Sequence, residues 1–121
     1  MVVDVEALRT RYVDALDALE HASGRTVAAL EDARRSRVVA RDFVRHGRPL
    51  AELEREIEMQ PLRASVSDAL SDFERARHET QRLLFQLLHA EGQTLAEIGR
   101  TFGISRQLVS RLVNEPDPVR V

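Results

Sequence analysis

Arg106, Gln107, Ser110 and Arg111 lie close together near the end of the stretch TLAEIGRTFGISRQLVSRLV, residues 94–113. A guanidinium offers paired donors that fit the two acceptors on the guanine edge, a carboxamide offers the donor and acceptor that fit adenine, and a hydroxyl serves base or phosphate. Residues of these types within two turns of one helix have the chemistry of a nucleic-acid reader. The bland reading is an ordinary solvated helix surface. Which one holds depends on whether the rest of the stretch needs these side chains for its own folding.

It does not need them. Thr94 suits an N-cap, and Glu97 three residues later completes a capping box. Leu95, Ile98 and Phe102 then supply the buried face of a helix of about two turns. Gly99 leaves room for a second helix to approach, and Gly103 allows the positive φ that a tight turn requires. Ile104 plugs the core, Ser105 caps the second helix, and Val109, Leu112 and Val113 face inward from it. Arg106, Gln107, Ser110, Arg111 and Asn114 are left pointing outward, clustered on a face that packing does not explain. The local charge is favourable too, with three Arg against one Glu over residues 92–114.

On Gly92, Thr94-Leu95, Glu97-Ile98-Gly99, Phe102-Gly103-Ile104-Ser105-Arg106 and Val109, the stretch resembles the helix-turn-helix that reads the promoter -35 element in bacterial sigma-70 factors, and related domains of small actinobacterial regulators. The resemblance spans roughly 23 residues. It implies that the second helix lies in the major groove with its N-terminal residues on base edges. By position in such a module, the DNA-binding residues expected are Arg100, Ser105, Arg106, Gln107, Ser110, Arg111 and Asn114, with Arg100 placed as a phosphate contact; the polar residues of the reading helix depart from the sigma pattern. Leu108 stands where sigma factors commonly carry a charge, and no counterpart of the -10-melting region is present. A free-standing regulator is therefore expected rather than a sigma factor.

Other chemistry is poorly supplied. The chain has no cysteine, so neither a disulfide nor a Cys-based zinc site can form. His21, His46, His78 and His89 are scattered, without a metal-ligand spacing, and no metal or other cofactor is expected. The acids at Glu52, Glu54, Glu56 and Glu58 have no neighbouring nucleophile or phosphate loop, so no enzyme is expected. No basic-then-apolar leader is present, and no apolar run approaches the roughly 18 residues of a membrane span. The expectation is a soluble protein of the cytoplasm with no membrane partner.

The elements that must position the site read as helices throughout. With 4% aromatic residues in 121, a sandwich or α/β core would be starved, whereas Ala, Leu, Val, Glu and Arg suit long helices. A three-four seam runs through Val5, Leu8, Tyr12, Ala15, Leu19, Ala22, Thr26, Ala29, Ala33, Ser36, Ala40 and Phe43. Ser23-Gly24 is its weak point, leaving one helix or two collinear ones, and His46-Gly47-Arg48-Pro49 ends it. Residues 50–59 read as a short amphipathic helix with Leu50, Leu53 and Ile57 on one side. From Pro61, a first-turn residue, a second seam follows through Leu62, Val66, Ala69, Phe73, Ala76, Thr80, Leu83, Leu87 and Ala90.

Charge is segregated along these elements. Residues 25–48 carry seven Arg against three acids, and residues 49–74 carry two Arg against seven acids. The Arg run from Arg34 to Arg48 is read as solvated and paired with the acids across the turn, in preference to a second phosphate strip. Leu16, Leu30, Leu70 and Leu84 widen the seams beyond what two helices can cover. Self-association into a bundle, or packing on a partner helix, would cover them, and so would a terminal module folded back over a monomer; the first is expected.

The resulting expectation is an all-α protein, a long antiparallel helical hairpin followed by a C-terminal helix-turn-helix. Residues 1–91 would dimerise or dock a partner, residues 92–115 would bind double-stranded DNA, and residues 116–121 would be a flexible tail. The function expected is sequence-specific transcriptional regulation by a homodimer. The rival is an adaptor whose hairpin docks on RNA polymerase, a sigma factor or another regulator.

Overall fold

The computed structural model describes residues 4–116 and is all-α, with no strand among the described residues. Helix α1 spans Val5–Arg45 without interruption at Gly24. A single 3-10 turn, Leu50–Glu52, and a one-turn helix α2, Leu53–Glu56, lead to α3, Met59–Ala90. Two short helices follow, α4 (Leu95–Phe102) and α5 (Arg106–Val113). The tail expected at 116–121 lies outside the described residues apart from Pro116.

The expected helix over 50–59 is broken instead. Ile57 is extended, with φ -130° and ψ 124°, and α3 begins two residues later. Pro61 supplies the reason: its ring would strike the carbonyl of the residue four positions back if that residue, Ile57, were helical. A proline in the first turn of α3 therefore enforces a break just before that helix. Leu53 is buried and Ile57 half-buried as the pattern predicts, but Leu50 is exposed.

The described chain forms two compact units. One contains residues 20–75. Within it α1 and α3 run antiparallel, and the contact is made by small side chains: Ala22 and Ala29 are buried, and the buried Thr26 hydroxyl donates to the carbonyl oxygens of Ala22 and Ala69 at 2.8 and 3.3 Å. A hydroxyl that bonds its own helix leaves no unsatisfied polar group at a tight crossing. Phe43 and Leu53 close the end of this unit, with the Arg48 guanidinium 3.9 Å above the Phe43 ring. Arg48 also reaches Glu52 and Glu56, at 3.6 and 3.5 Å, so the expected pairing across the turn is made at this residue. Arg34 and Arg35 pair within α1 instead, with Glu31 and Asp32.

The other unit joins residues 4–19 to residues 76–116. Leu8 and Ala15 of α1 pack on Leu83 and Leu87 of α3, flanked by Val5, Tyr12 and Ala90. Thr80 repeats the role of Thr26, its hydroxyl shared between the carbonyls of Ala76, at 2.7 Å, and Ala15, at 3.3 Å. Both seams are thus the buried faces. The wider residues divide: Leu84 is covered by the terminal helices, whereas Leu16, Leu30 and Leu70 stay 41–45% exposed. No described helix is long and apolar enough to cross a membrane.

Candidate nucleic-acid interface

Helix α3 stops where the backbone turns left-handed at Gly92, φ 108°, with the Gln93 N–H returned to the Leu88 carbonyl at 3.0 Å. Two residues on, Thr94 starts α4 with a complete capping box. Its hydroxyl oxygen accepts from the Glu97 N–H at 3.1 Å, and the Glu97 carboxylate accepts from the Thr94 N–H at 3.2 Å. The Thr94 backbone bond, followed by the Thr94 side chain, holds the Glu97 carboxyl below its ordinary value. A lowered carboxyl stabilises the fold in its ionised form.

The turn itself rests on two glycines. A Cβ on Gly99 would sit 2.8 Å from the Ile104 carbonyl oxygen, closer than packing allows, and that backbone cannot yield without moving the start of α5. Gly103 takes φ 69° and closes α4, and the Ile104 N–H bonds the Gly99 carbonyl at 3.0 Å. Ser105 then caps α5 by accepting from the Leu108 N–H at 3.1 Å.

The inward faces meet on α3. Phe85, Ile98 and Val109 are fully buried, and Leu112 nearly so; Leu84, Leu88, Leu95, Ile104, Leu108 and Val113 pack around them. Phe102 departs from the expectation of burial. It is 42% exposed at the last position of α4, with its ring tilted against Phe85 at 5.0 Å between centroids.

Three further α3 side chains hold the far end of α5. Gln86 donates to the Val113 carbonyl at 3.0 Å, satisfying an acceptor at the helix C-terminus. Arg82, 1% exposed, bonds both Glu79 oxygens, at 3.0 and 2.6 Å, and reaches the Glu115 carbonyl at 3.4 Å. His78 Nε2 lies 2.8 Å from a Glu115 carboxylate oxygen. His78, Arg82 and Gln86 repeat every four residues and so share one side of α3. Sequence reasoning missed this set and Phe85 as well. The available signal was the run Leu83, Leu84, Phe85, Leu87, Leu88, too apolar for a helix buried on one side.

Arg100, Arg106, Gln107 and Arg111 are exposed, and Ser110 is half-buried. Arg106, Gln107 and Ser110, with Leu95, border a shallow depression of about 300 Å³. The Ser105 oxygen is engaged by the cap as an acceptor, which leaves its hydroxyl proton to donate. Asn114 closes α5 by donating to the Ser110 carbonyl at 2.8 Å, so its amide oxygen is what it presents outward. Leu108 is turned onto the core. His89 Nδ1 lies 2.9 Å from the Gln93 carbonyl oxygen at the turn before α4, and the described residues include no group of three or more metal-ligating side chains.

Residues 81–115 match the model of the MarR family. No curated protein and no solved structure matches the chain. The matched range takes in the end of α3 together with α4 and α5, which is the set of elements that shares the Phe85 core. The match, over less than a third of the chain, supports a DNA-binding transcriptional regulator built on a helix-turn-helix; it does not carry the sigma-type assignment.

Three outcomes follow from this geometry. G99A is expected to lower unfolding free energy by about 1–3 kcal/mol in urea titrations, since the added carbon overpacks against backbone. R82A is expected to cost about 3 kcal/mol, because Arg82 is buried and bonded on two sides, and to increase amide exchange in α5 first. For Glu97 the sign is fixed by its lowered folded-state value: its contribution is present above the ordinary carboxylate range and lost as pH falls through the folded value. The stability difference between wild type and E97Q should therefore shrink on acidification from pH 7 to pH 3, and a difference that does not vary with pH would contradict the capping assignment.

Proposed function

We propose that the protein is a sequence-specific regulator of transcription that lays α5 in the major groove of double-stranded DNA. The observation that carries this reading is the division of labour on α5. Its inner face, Val109 and Leu112, is buried, its ends are capped, and Arg106, Gln107 and Arg111 are exposed with no role in holding the fold. Arg106 and Gln107, in the first turn, are assigned to base edges. Ser110, Arg111 and Asn114 extend the contact along the helix. Arg100 on α4 and the Ser105 hydroxyl are assigned to phosphates, where a cation and a free donor suffice. The likeness to the sigma-70 -35 reader supports the same docking mode.

The functional form we propose is a homodimer, whose two reading helices would address half-sites about one helical turn apart, roughly 34 Å, or a multiple of it. The exposed Leu30 and Leu70 support self-association, because in the unit of residues 20–75 the long helices bury small residues, Ala22, Thr26 and Ala29, and gain little from that contact alone.

Selection from sheared genomic DNA followed by sequencing tests the reading. The wild-type protein should enrich one recurrent motif. An R106A/Q107A variant should lose about 30- to 20,000-fold in affinity for that motif, at about 1–3 kcal/mol for each of the two bidentate contacts, while keeping its helicity. R100A should weaken binding to all sequences alike and reduce the slope of log K against log salt by about 1. Equal enrichment by wild type and the double variant would remove α5 as the reader.

A further inference from the structure

In the unit of residues 20–75, the back of α1 carries an ordered set of exposed side chains: Glu20, Val27, Glu31, Arg34, Val38 and Arg45. At about 100° per residue they fall in one stripe about 60° wide, on the side opposite the buried Ala22, Thr26 and Ala29. The intervals are seven, four, three, four and seven residues, the same from either end, with the midpoint between Asp32 and Ala33. The chemistry is not the same from either end. It runs acid, valine, acid, then arginine, valine, arginine. Val27 and Val38 are 61% and 41% exposed, and Glu20 and Arg45 carry no ion pair among the described residues.

We infer that this stripe is a self-docking surface, on which a second copy of the chain lies antiparallel about a two-fold axis through the midpoint. The inference rests on the homodimer reading above and says where the contact is. Reversal places Val27 against Val38 of the second copy, Glu20 against its Arg45, and Glu31 against its Arg34. Each pair occurs twice, as an isologous contact requires. The Glu31–Arg34 pair within α1, at 3.8 Å, becomes one edge of a four-charge cluster at the centre. Gly24, with open space where a Cβ would stand, falls opposite Arg41 of the second copy and gives its long side chain room. A parallel pairing would set acid on acid and arginine on arginine, so the same charges that favour this arrangement oppose its alternative.

The absence of native cysteine makes the register directly testable in the full-length protein. Separately tagged V27C and V38C chains are mixed without DNA and oxidised with copper phenanthroline. The mixed 27-to-38 disulfide should dominate at least about tenfold over either self-pair, because like positions would lie about 16 Å apart along the axis. In sedimentation equilibrium, E20R/E31R should weaken dimerisation by at least about tenfold, and adding R34E and R45E to the same chain should restore it by reversing the charge order. Circular dichroism checks that each variant keeps its helices. A dimer that forms no mixed disulfide would overturn this surface while leaving self-association standing. A wild-type monomer up to about 100 μM would overturn both. Charge variants that dimerise normally but lose DNA binding would also overturn it, assigning the stripe to phosphate contact instead.

Discussion

The terminal part of the protein depends on the burial of Phe85. A ring with no exposed surface on α3 is the common floor for Ile98 of α4 and for Val109 and Leu112 of α5. Two eight-residue helices are too short to persist alone in water, because nucleation costs more than so few backbone bonds return. Their stability comes from that shared apolar contact and from the caps that satisfy their ends. The long helix α3 supplies what the short ones lack, a pre-formed surface already held by its own hydrogen bonds.

Around this floor the polar groups act as position setters. Thr94, Glu97 and Ser105 fix where each short helix begins, and Gly99 and Gly103 fix the approach and angle between them. His78, Arg82 and Gln86 hold α5 and Glu115 at the other end. The consequence is a helix fixed at both termini whose outward Arg106, Gln107 and Arg111 side chains take no part in the fixing. Such a surface is pre-organised, so the ordering cost of binding falls mainly on the long side chains themselves.

The long helices use a different economy of contact. Ala22, Thr26 and Ala29 in the unit of residues 20–75 allow the backbones to approach closely, whereas in the other unit Ala15 and Thr80 share the contact with Leu8, Leu83 and Leu87. Close approach buries little apolar area per residue, and larger side chains such as Val27, Leu30 and Leu70 remain in contact with water. The core of the unit of residues 20–75 is therefore thin for the length of helix it serves.

Much of this was legible from residue order alone. The two seams, the Thr94 capping box, the Ser105 cap and the Gly103 turn are set by interactions within a few positions along the chain, and local spacing records them directly. Three features were not legible in that way: the break at Ile57, the exposure of Phe102 and the burial of Arg82. The first follows from a proline acting four residues upstream, which a periodicity count passes over. The other two depend on which face of α3 meets the terminal helices, a choice between several apolar faces of one helix that no single segment encodes. Arg82 is the clearest case, since an arginine is buried only when groups distant in sequence, here the Glu115 carbonyl, arrive to complete its hydrogen bonding. The sequence by itself determined the elements and their caps, because those are short-range. Only the tertiary structure decided which apolar residues became the floor of the site, because that is settled by competition among surfaces that meet after the helices exist.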